Sequence, residues 1–564
     1  MSECEVCGYN VHVEPVLNGD DQLSEIAPEL QRVLRFEPEV SSVAALPDIN
    51  SANRVSASGE FAAMLLLFVL LLCYGIGSGH GSPVHGYNGD MLSLLDFKRA
   101  ITKDPNGTLA SWNTSTPICR WFGVACSRRH HWRVASLELA GLNLEGEITP
   151  SIGNLTFLRS LDLSRNGFSG SLPHLSRLHR LEFLDLSWNS LQGTIPDTLA
   201  NCSKLRMLYF FRNSLAGEIH PKVGLLSELT DFDLSNNNFT GTIPLALSNL
   251  THLKILDLYF NNLSGRIPDE LGKLSNLSYL SLCANSLSGG IPQPLFNLSS
   301  LQFLDLSLNA LGGVLAPYNG GNLPYLRSLS LLGNYFHGRI PAFLGNFSRL
   351  EMIFLSGNNF SGQVPTSFGR LQSLFMLFLG ENMIEASNKE SWEFLSALAN
   401  CTALRYLDLS GSQLEGAIPN QIGNLSANLH YLSLGGNHLS GIVPPTIGNL
   451  HSLAELVLES NNLTGATHKW LGRLNCLHDL YLSHNNFIGT IPLSIGNLSN
   501  LTRLALADNA FSGHLPRTLG NLKQLMQLDL SYNNLDGHVP SSIGNLSQLE
   551  HLDLSNNKLR GISP

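Results

Sequence analysis

The chain has 564 residues, of which 14% are charged and 43% are hydrophobic, and its formal net charge at pH 7 is −10. This mildly acidic balance argues against a nucleic-acid-binding protein, because such proteins concentrate Lys and Arg on one surface. A chain of this length is expected to form several globular domains, but its internal self-similarity favours a solenoid, which grows by adding turns.

The first segment in chain order is polar and is followed by an apolar run. Residues 1–60 have few aromatic residues and no repeat, which predicts an unstructured extension. Residues 61–79 contain FAAMLLLFVLLLCYGIG, which is short for a membrane span and resembles a signal-peptide core. Either translation begins at Met64, so that residues 1–63 are a mistaken upstream extension, or the run is a signal-anchor. Both interpretations place the rest of the chain in the secretory route.

A helix is predicted next, over residues 90–101, DMLSLLDFKRAI. Asp90 is its predicted N-cap, because a carboxylate there can accept hydrogen bonds from the first free N–H groups. The sequences SWN at 111–113 and CRWFGVAC at 119–126 follow. The apolar residues near one face of this helix are Leu94, Leu95, Phe97 and Ile101.

From residue 131 to 564 the chain repeats one phrase, Leu-x-Leu-x-x-Asn. Most copies follow one another at 24 residues, and the longest interval, from Asn382 to Ser412, is 30. This motif and period predict leucine-rich repeats, an α/β repeat solenoid of about 18 turns. One short strand per turn is expected to line the concave side of a horseshoe with a parallel sheet. The last position of the phrase, here called the anchor, is Leu142, Asn166, Asn189, Asn213, Asn237, Asn261, Asn285, Asn309, Asn334, Asn358, Asn382, Ser412, Asn437, Asn461, Asn485, Asn509, Asn533 and Asn557.

Each letter of the phrase has a physical role, as the turn LEFLDLSWNSLQGTIP at 181–196 illustrates. Alternation along the strand predicts that Phe183 and Asp185 face solvent. The anchor Asn189 follows the strand, where a buried amide can satisfy backbone groups of adjacent turns. We assign the recurring Asp of LDLS to the repeat pattern and not to acid chemistry. The inward positions, which stack on the next turn, are Leu181, Leu184, Leu186 and Leu191.

The phrase GxIPxxIGNLxxL, for example GTIPLSIGNLSNL at 489–501, resembles the plant-specific subclass of leucine-rich repeats. The resemblance covers about residues 91–564 and implies a right-handed superhelix with a second short sheet on one flank. Residues 88–130 resemble the plant amino-terminal cap that seals the first turn. This cap implies a disulfide between Cys119 and Cys126 and an oxidising compartment.

The other cysteines of the repeats fall into two groups. Cys202 and Cys401 stand where other turns place a core leucine, so they are predicted to be buried thiols. Cys283 and Cys476 fall on outward positions, and no role is assigned to them.

The 30-residue turn contains SNKESWEFLSALANC at 387–401, which predicts a helix on the outer side with Ser387 or Asn388 as its cap. The passage resembles the lengthened repeat of grass receptor kinases of the immune subclass, relatives of the receptors for bacterial flagellin and elongation-factor peptides. The resemblance implies the ectodomain of a receptor-like serine/threonine kinase, truncated before a second cap, a membrane helix and a kinase. The helix is expected to cap a seam rather than to contact a ligand. Its side chains available for packing are Trp392, Phe394, Leu395 and Leu398.

A strip of apolar side chains is predicted to be exposed on the concave face. Many of these side chains stand six residues before an anchor, and a contiguous exposed apolar strip usually marks an interface. Alternatively the rings cover strand edges, because an aromatic residue before LDLS is common in this repeat family. The predicted ligand-binding residues are Phe183, Trp188, Met207, Tyr209, Phe211, Ile255, Tyr259, Tyr279, Phe303, Met352, Phe354, Met376, Phe378, Tyr406 and Tyr431.

Seventeen N-x-[ST] sequons occur, and none lies on the strand positions of the concave face. Glycans on them would shield the back and one flank and leave the inner face free to bind. The alternative is that NLS and NNLSG belong to the repeat pattern itself. The predicted glycosylation sites are Asn154, Asn249, Asn297, Asn346, Asn424, Asn497 and Asn545.

No catalytic constellation is predicted. The sequence has no Gly-rich phosphate loop before a suitable lysine and no kinase HRD or DFG, and its lone C-x-x-C at 4–7 is a weak metal signal. We therefore expect no enzyme activity, no cofactor and no metal.

The resemblance implies an ectodomain at the plasma membrane or secreted to the apoplast, acting in plant defence. It would bind a peptide or protein ligand, expected to be a pathogen-derived pattern, and a co-receptor kinase. A membrane would be reached only through the signal-anchor or a missing carboxy-terminal helix, and nucleic acid is not an expected partner. The alternatives are a secreted inhibitor of a microbial cell-wall hydrolase, against which the number of turns speaks, and a non-functional truncated receptor fragment.

Overall fold

The structure, a computed structural model, describes residues 85–130, 132–315, 321–467 and 470–561, together with the strands Ser2–Glu3 and His12–Val13. It separates into two compact units, residues 1–82 and 83–564. In the first unit, Ser2–Glu3 pairs antiparallel with His12–Val13. The apolar run at residues 61–79 and the C-x-x-C at 4–7 lie outside the described residues.

The second unit begins with the cap helix, His85–Ala100. The helix starts earlier than expected, and the prediction that Asp90 is its N-cap is wrong. Asp90 is 2% exposed, and its carboxylate accepts hydrogen bonds from the Arg133 guanidinium at 2.7 and 2.8 Å and from the Val134 N–H at 2.9 Å. A buried carboxylate needs such partners. Asp90 therefore fastens the cap helix to the first strand of the repeats.

The rest of the cap is held by a disulfide and two stacked indoles. Cys119 and Cys126 form the disulfide that the resemblance implied, and the rings of Trp112 and Trp121 stack with their centroids 5.4 Å apart. The strand Val124–Ser127 contains Cys126 and pairs antiparallel with Arg133–Glu138. Buried residues of the cap and the first turns form one apolar core.

One strand from each turn joins a long sheet, which is parallel after its first, antiparallel pair. The strands pair in register, so that equivalent positions of consecutive turns lie side by side, as Met207, Asp231 and Ile255 do. The predicted leucine-rich-repeat solenoid with its long parallel sheet is confirmed. In chain order the strands are Val124–Ser127, Arg133–Glu138, Ser160–Asp162, Phe183–Asp185, Met207–Tyr209, Asp231–Asp233, Ile255–Asp257, Tyr279–Ser281, Phe303–Asp305, Ser328–Ser330, Met352–Phe354, Met376–Phe378, Tyr406–Asp408, Tyr431–Ser433, Glu455–Val457, Asp479–Tyr481, Arg503–Ala505, Gln527–Asp529 and His551–Asp553.

Short strands after the anchors, joined by Ile101–Lys103 of the cap, form the flank sheet that the resemblance implied. Its two sections meet at an isolated parallel bridge between Thr242 and Ser264. The first section contains Ile101–Lys103, Glu145–Glu147, Gly167–Ser171, Ser190–Gly193, Ser214–Glu218 and Asn238–Thr240. The second contains Ser264–Arg266, Ser286–Gly289, Ala310–Val314, Tyr335–Arg339, Asn359–Gly362, Met383–Ala386, Gln413–Ala417, His438–Ile442, Asn462–Gly465, Asn486–Gly489, Ala510–His514, Asn534–Gly537 and Lys558–Leu559.

Most turns continue through a short 3-10 helix that often follows a proline. In the turn of Pro196, the proline carbonyl accepts a hydrogen bond from the Leu199 N–H at 2.9 Å, and Leu199 is buried. The 3-10 helices of the repeats are Pro150–Asn154, Asp197–Asn201, Pro221–Leu225, Leu245–Asn249, Asp269–Lys273, Gln293–Asn297, Ala342–Asn346, Thr366–Arg370, Asn420–Asn424, Pro445–Asn449, Leu471–Arg473, Leu493–Asn497, Arg517–Asn521 and Ser541–Asn545. Those of the cap are Thr108–Ser111, Ile118–Arg120 and Arg128–His130.

The anchor asparagines connect each turn to the one before it, as predicted. The side-chain amide of Asn261 donates to the Leu234 carbonyl of the preceding turn at 3.0 Å and to the Leu258 carbonyl of its own turn at 3.2 Å. Its carbonyl oxygen accepts the Phe239 N–H of the preceding turn at 3.0 Å. Because Asn261 is 8% exposed, these bonds satisfy backbone groups that water does not reach.

The leucines predicted to point inward form the core of the solenoid. Leu181, Leu184, Leu186 and Leu191 are all 0% exposed. Asp185 lies on the side of the strand opposite the core, as alternation predicted, but it is only 7% exposed and so does not face open solvent.

The 30-residue turn contains the predicted helix in a shorter form, Glu393–Leu398. The Asn388 side chain accepts the Ser391 N–H at 2.9 Å, so it caps a turn ahead of the helix rather than the helix itself. All four predicted packing residues, Trp392, Phe394, Leu395 and Leu398, are buried.

Candidate ligand-binding surface

The open face is defined here as the side of the long sheet whose side chains point away from the leucine core. Each three-residue strand contributes its first and last residue to this face, because side chains alternate along a strand. Register pairing stacks these residues into columns, such as Ile255, Tyr279 and Phe303. The sequence-predicted binding residues belong to these columns or to the loop that follows each strand.

Most of the predicted binding residues are partly exposed on the open face. Trp188 is the most accessible of them, at 42%. Other predicted residues form ring contacts between consecutive turns. The ring centroids are 6.0 Å apart for Phe183 and Tyr209 and 4.5 Å apart for Tyr279 and Phe303. The half-exposed members are Phe183, Met207, Tyr209, Phe211, Ile255, Tyr279, Phe303, Met352, Phe354 and Tyr406.

Four predicted binding residues are not exposed, which corrects the expectation of a continuous open strip. Exposure is 7% for Tyr259, 1% for Met376, 7% for Phe378 and 6% for Tyr431. Phe378 and Tyr431 cover each other, because their ring centroids lie 6.2 Å apart and the Phe378 ring also lies 5.4 Å from Phe354. The strip therefore divides into an accessible part at 183–303, in which Tyr259 alone among the predicted residues is buried, and an aromatic cluster at 352–431, in which three of the six predicted residues are buried.

A column of aspartates runs along the accessible part. In this column the Asp185 carboxylate accepts the Ser187 N–H at 2.9 Å, and Asp233 accepts the Ser235 N–H at 2.8 Å. The repeated Asp therefore shapes the turn after each strand, which agrees with its assignment to the repeat pattern. The column consists of Asp162, Asp185, Asp233, Asp257 and Asp305, with Tyr209 and Ser281 at the intervening rungs.

These carboxylates carry an electrostatic property that the sequence did not reveal. Burial raises the pKa of Asp185 to about 7, assisted by the charges of Asp162 and Asp233. Burial likewise raises the pKa of Asp233 to about 6 and lifts that of Asp257 well above its ordinary value. No Lys or Arg occurs on the strands of the long sheet from Ser160–Asp162 to Phe303–Asp305. This part of the open face is therefore acidic as well as aromatic.

The residue before each anchor adopts a left-handed backbone conformation, which sequence reasoning missed. Its φ is 52° at Trp188, 52° at Arg212 and 51° at Phe260, although such angles are unfavourable for large side chains. The conformation directs these side chains to the rim of the open face, where the Arg212 guanidinium lies 3.9 Å over the Trp188 ring. The sequence did contain a signal for this left-handed conformation, because glycine residues, Gly333 and Gly357, occupy the same position in other turns.

Family models match both the cap and the repeats. A leucine rich repeat N-terminal domain matches residues 88–127, and leucine rich repeat models match residues 227–287, 427–487 and 499–559. Further single repeats match residues 157–177, 180–202, 349–371 and 403–425.

Solved structures of plant receptor ectodomains match most of the chain. The ectodomain of the Arabidopsis thaliana receptor kinase GASSHO1/SCHENGEN3, in complex with CASPARIAN STRIP INTEGRITY FACTOR 2, has a TM-score of 0.73 and 35% identity, covering 83% of this chain and 62% of that one. The Arabidopsis receptor kinase HAESA, in complex with the peptide hormone IDA and the co-receptor SERK1, has a TM-score of 0.62 and 31% identity, covering 84% of this chain and 86% of that one. The chain belongs to the family of plant leucine-rich-repeat receptor ectodomains.

A full-length receptor kinase is also similar to this chain, over a shorter stretch. The LRR receptor-like serine/threonine-protein kinase EFR of Arabidopsis thaliana is 50% identical over 95 residues, which are 16% of this chain and 9% of that protein. The chain thus aligns with a small fraction of the full-length kinase.

The cysteines of the ectodomain follow the predictions with one exception. Cys202 and Cys401 are buried, and burial raises their pKa to about 12 and about 11, which makes them unreactive thiols. Cys476 is exposed, as expected. Cys283 falls on an outward position but is buried, and its thiol contacts the Asp305 carboxylate.

The predicted glycosylation sites lie at the ends of 3-10 helices or beside them. All seven asparagines, Asn154, Asn249, Asn297, Asn346, Asn424, Asn497 and Asn545, are exposed. Their glycosylation stays a prediction. In the described ranges, no group of three His, Cys, Asp or Glu side chains could hold a metal ion, and no helix has the length and apolarity needed to cross a membrane.

Proposed function

We propose that this ectodomain recognises a peptide or protein, derived from a microbe, on the accessible part of the open face between Phe183 and Phe303. It would do so outside the plasma membrane or in the apoplast, as the recognition half of a defence receptor. The observation that carries the proposal is the run of half-exposed aromatic side chains, which carries no sequon on its strand positions. Aromatic residues of this kind are the usual energetic centres of protein interfaces.

Two further findings support the proposal. The HAESA and GASSHO1/SCHENGEN3 ectodomains, to which this chain is similar over most of its length, were each solved with a peptide or factor bound. The 30-residue turn resembles that of the immune subclass of receptor kinases, which favours a microbial ligand over an endogenous hormone. HAESA was also solved with the co-receptor SERK1, and a co-receptor kinase is the second partner we propose.

The test is capture of peptides from bacterial culture filtrates by the glycosylated ectodomain secreted from plant cells. We expect specific peptides to be retained and identified by mass spectrometry. Tyr279→Ala and Phe303→Ala should each weaken binding of a retained peptide by about tenfold or more, because buried interface aromatics contribute about 2 kcal/mol or more.

The matched control is Tyr335→Ala, because Tyr335 is a 66% exposed aromatic residue on the flank sheet. It should leave the dissociation constant unchanged. Retention of no peptide, or equal loss in the control and in the two open-face variants, would contradict the proposal.

A further inference from the structure

A cluster of basic and aromatic side chains lies at the edge of the repeats next to the cap. Arg133, Phe157 and Arg180 occupy the same position in three consecutive turns, nine residues before the anchor. Both guanidiniums lie 4.6 Å from the centre of the Phe157 ring. The His130 ring is 5.0 Å from Phe157, and Arg180 Nη1 donates to His130 Nε2 at 2.9 Å. Phe157 therefore gathers three basic groups in one place.

The basic character continues on both sides of Phe157. On the cap side, Arg128 lies 5.7 Å over the ring of Trp132, which is 50% exposed. On the repeat side, Lys204 follows Arg180 at the equivalent position of the next turn and is exposed. Successive turns are ~4.8 Å apart along the long sheet, so the four equivalent positions from Arg133 to Lys204 extend over roughly 15 Å. The cap-side basic patch is defined as Arg128, Arg129, His130, Trp132, Phe157 and Arg180.

Few carboxylates neutralise this patch. The sequence contains no Asp or Glu between Asp104 and Glu138. Asp90 neutralises the partly buried Arg133, but in the described part of the chain no carboxylate forms an ion pair with Arg129 or Arg180. Charges are screened over ~8 Å at physiological salt. A ligand at the patch therefore experiences local positive charge, although the chain as a whole carries −10.

We propose that the cap-side basic patch binds an acidic polysaccharide, a linear polymer of uronic acids. A guanidinium presents a planar fork that matches a carboxylate, and the exposed indole of Trp132 offers a flat apolar surface for the C–H face of a sugar ring. A row of cations suits a polymer with regularly spaced carboxylates better than it suits a single anion. The disulfide of the adjoining cap favours an extracellular polymer over nucleic acid.

The experiment measures retention of the full secreted chain on immobilised polygalacturonate at low and at high ionic strength. We expect retention at low ionic strength and release by salt. The double variant Arg129→Glu with Arg180→Glu should weaken retention at least tenfold. The control is Arg517→Glu with Lys523→Glu, two exposed residues far along the chain that give the same change in net charge, and it should behave like the wild type. Circular dichroism checks that each variant is folded.

Three results would overturn the proposal. The first is that the double patch variant is retained like the wild type, or that the control variant loses as much retention as the patch variant does. The second is equal retention on fully methyl-esterified polygalacturonate, which lacks the carboxylates. The third is equal or tighter binding to duplex DNA or to phosphatidylserine vesicles, which would make the patch a site for a different class of polyanion. If this proposal fails, the proposal that the open face binds a ligand still stands, because the two surfaces share no residue.

Discussion

Asp185 shows how a residue of the repeat pattern acquires an unusual chemical property. Its carboxylate is held by the Ser187 N–H, yet the side chain is 7% exposed and lies near the charges of Asp162 and Asp233. Burial and repulsion both favour the protonated form, so the pKa rises to about 7. Burial also raises the pKa of Asp233, Asp257, Asp305 and Asp408, which occupy the same position in other turns.

The pKa of Asp185 predicts a pH dependence of stability. In the unfolded chain the carboxyl has its ordinary pKa of 3.8, whereas in the folded chain it is about 7. The folded state therefore binds the proton more tightly, and the stabilisation from this group is complete below pH 4 and is lost as the pH rises through about 7. Asp185→Asn removes the charge and keeps the acceptor for Ser187. Because the substitution completes an N-L-S sequon at 185–187, as the control substitution below does at 553–555, the wild type and both variants are produced without N-glycosylation. We expect the variant to gain up to about 4 kcal/mol in free energy of unfolding at pH 8 and almost nothing at pH 4, as measured by guanidinium denaturation.

The control for this measurement is Asp553→Asn in the last turn. Asp553 occupies the same column, but its pKa is lowered because the Ser555 N–H and hydroxyl donate to it. This variant should not be more stable than the wild type at pH 8. An Asp185→Asn variant whose stability differs from that of the wild type by the same amount at pH 4 and pH 8 would show that the carboxyl does not titrate as argued.

At the scale of the repeated turn, the anchor asparagine is the principal polar link between neighbours. The Asn485 amide donates to Leu458 of the preceding turn at 2.9 Å, and its oxygen accepts the Leu463 N–H at 2.9 Å. The series is interrupted at Ser412, whose hydroxyl reaches only the Ser410 carbonyl of its own turn. This interruption coincides with the 30-residue turn, where the insert helix supplies additional buried apolar contacts.

Asn485→Ala tests the contribution of one such link. The substitution leaves two buried backbone groups of the preceding turn without partners, so we expect a loss of about 2–4 kcal/mol in free energy of unfolding. Asn486→Ala is the matched control, because the adjacent asparagine is exposed and carries no sequon. Hydrogen exchange should show faster opening of the turns on both sides of residue 485. Equal stability of the two variants would indicate that the leucine core alone connects the turns.

On the scale of the whole molecule, periodicity predicted the features that every turn repeats. The inward leucines, the anchors and the parallel sheet followed from the 24-residue period, because identical positions must stack when turns stack. The binding surface was less predictable. Phe378 is covered by the rings of Phe354 and Tyr431 from other turns, and Tyr259 contacts the Phe260 ring of its own turn. Such coverage depends on the particular residue next to each ring rather than on the period. Asp90 was misassigned for a similar reason, since its partner Arg133 is 43 residues away.

The cap-side basic patch also arises only from the stacking of turns. Phe157 and its flanking arginines are 24 and 23 residues apart in sequence, and the motif RRHHWR alone does not indicate that Arg180 joins them. The molecule thus presents an acidic, aromatic surface along the sheet and a basic one at the cap edge. The two surfaces suit different ligands and could be occupied at the same time.

The most direct test of the central claim, that the open face is the recognition surface, places a glycan on it. Tyr279→Asn creates an N-x-S sequon on the open face, and Leu225→Asn creates one at the end of a 3-10 helix, where other sequons already occur. Tyr279→Gln controls for loss of the ring without a glycan. Once mass spectrometry confirms occupancy, we predict that Tyr279→Asn abolishes binding of a captured peptide, that Tyr279→Gln only weakens it, and that Leu225→Asn binds like the wild type. Undiminished binding by glycosylated Tyr279→Asn would contradict the account.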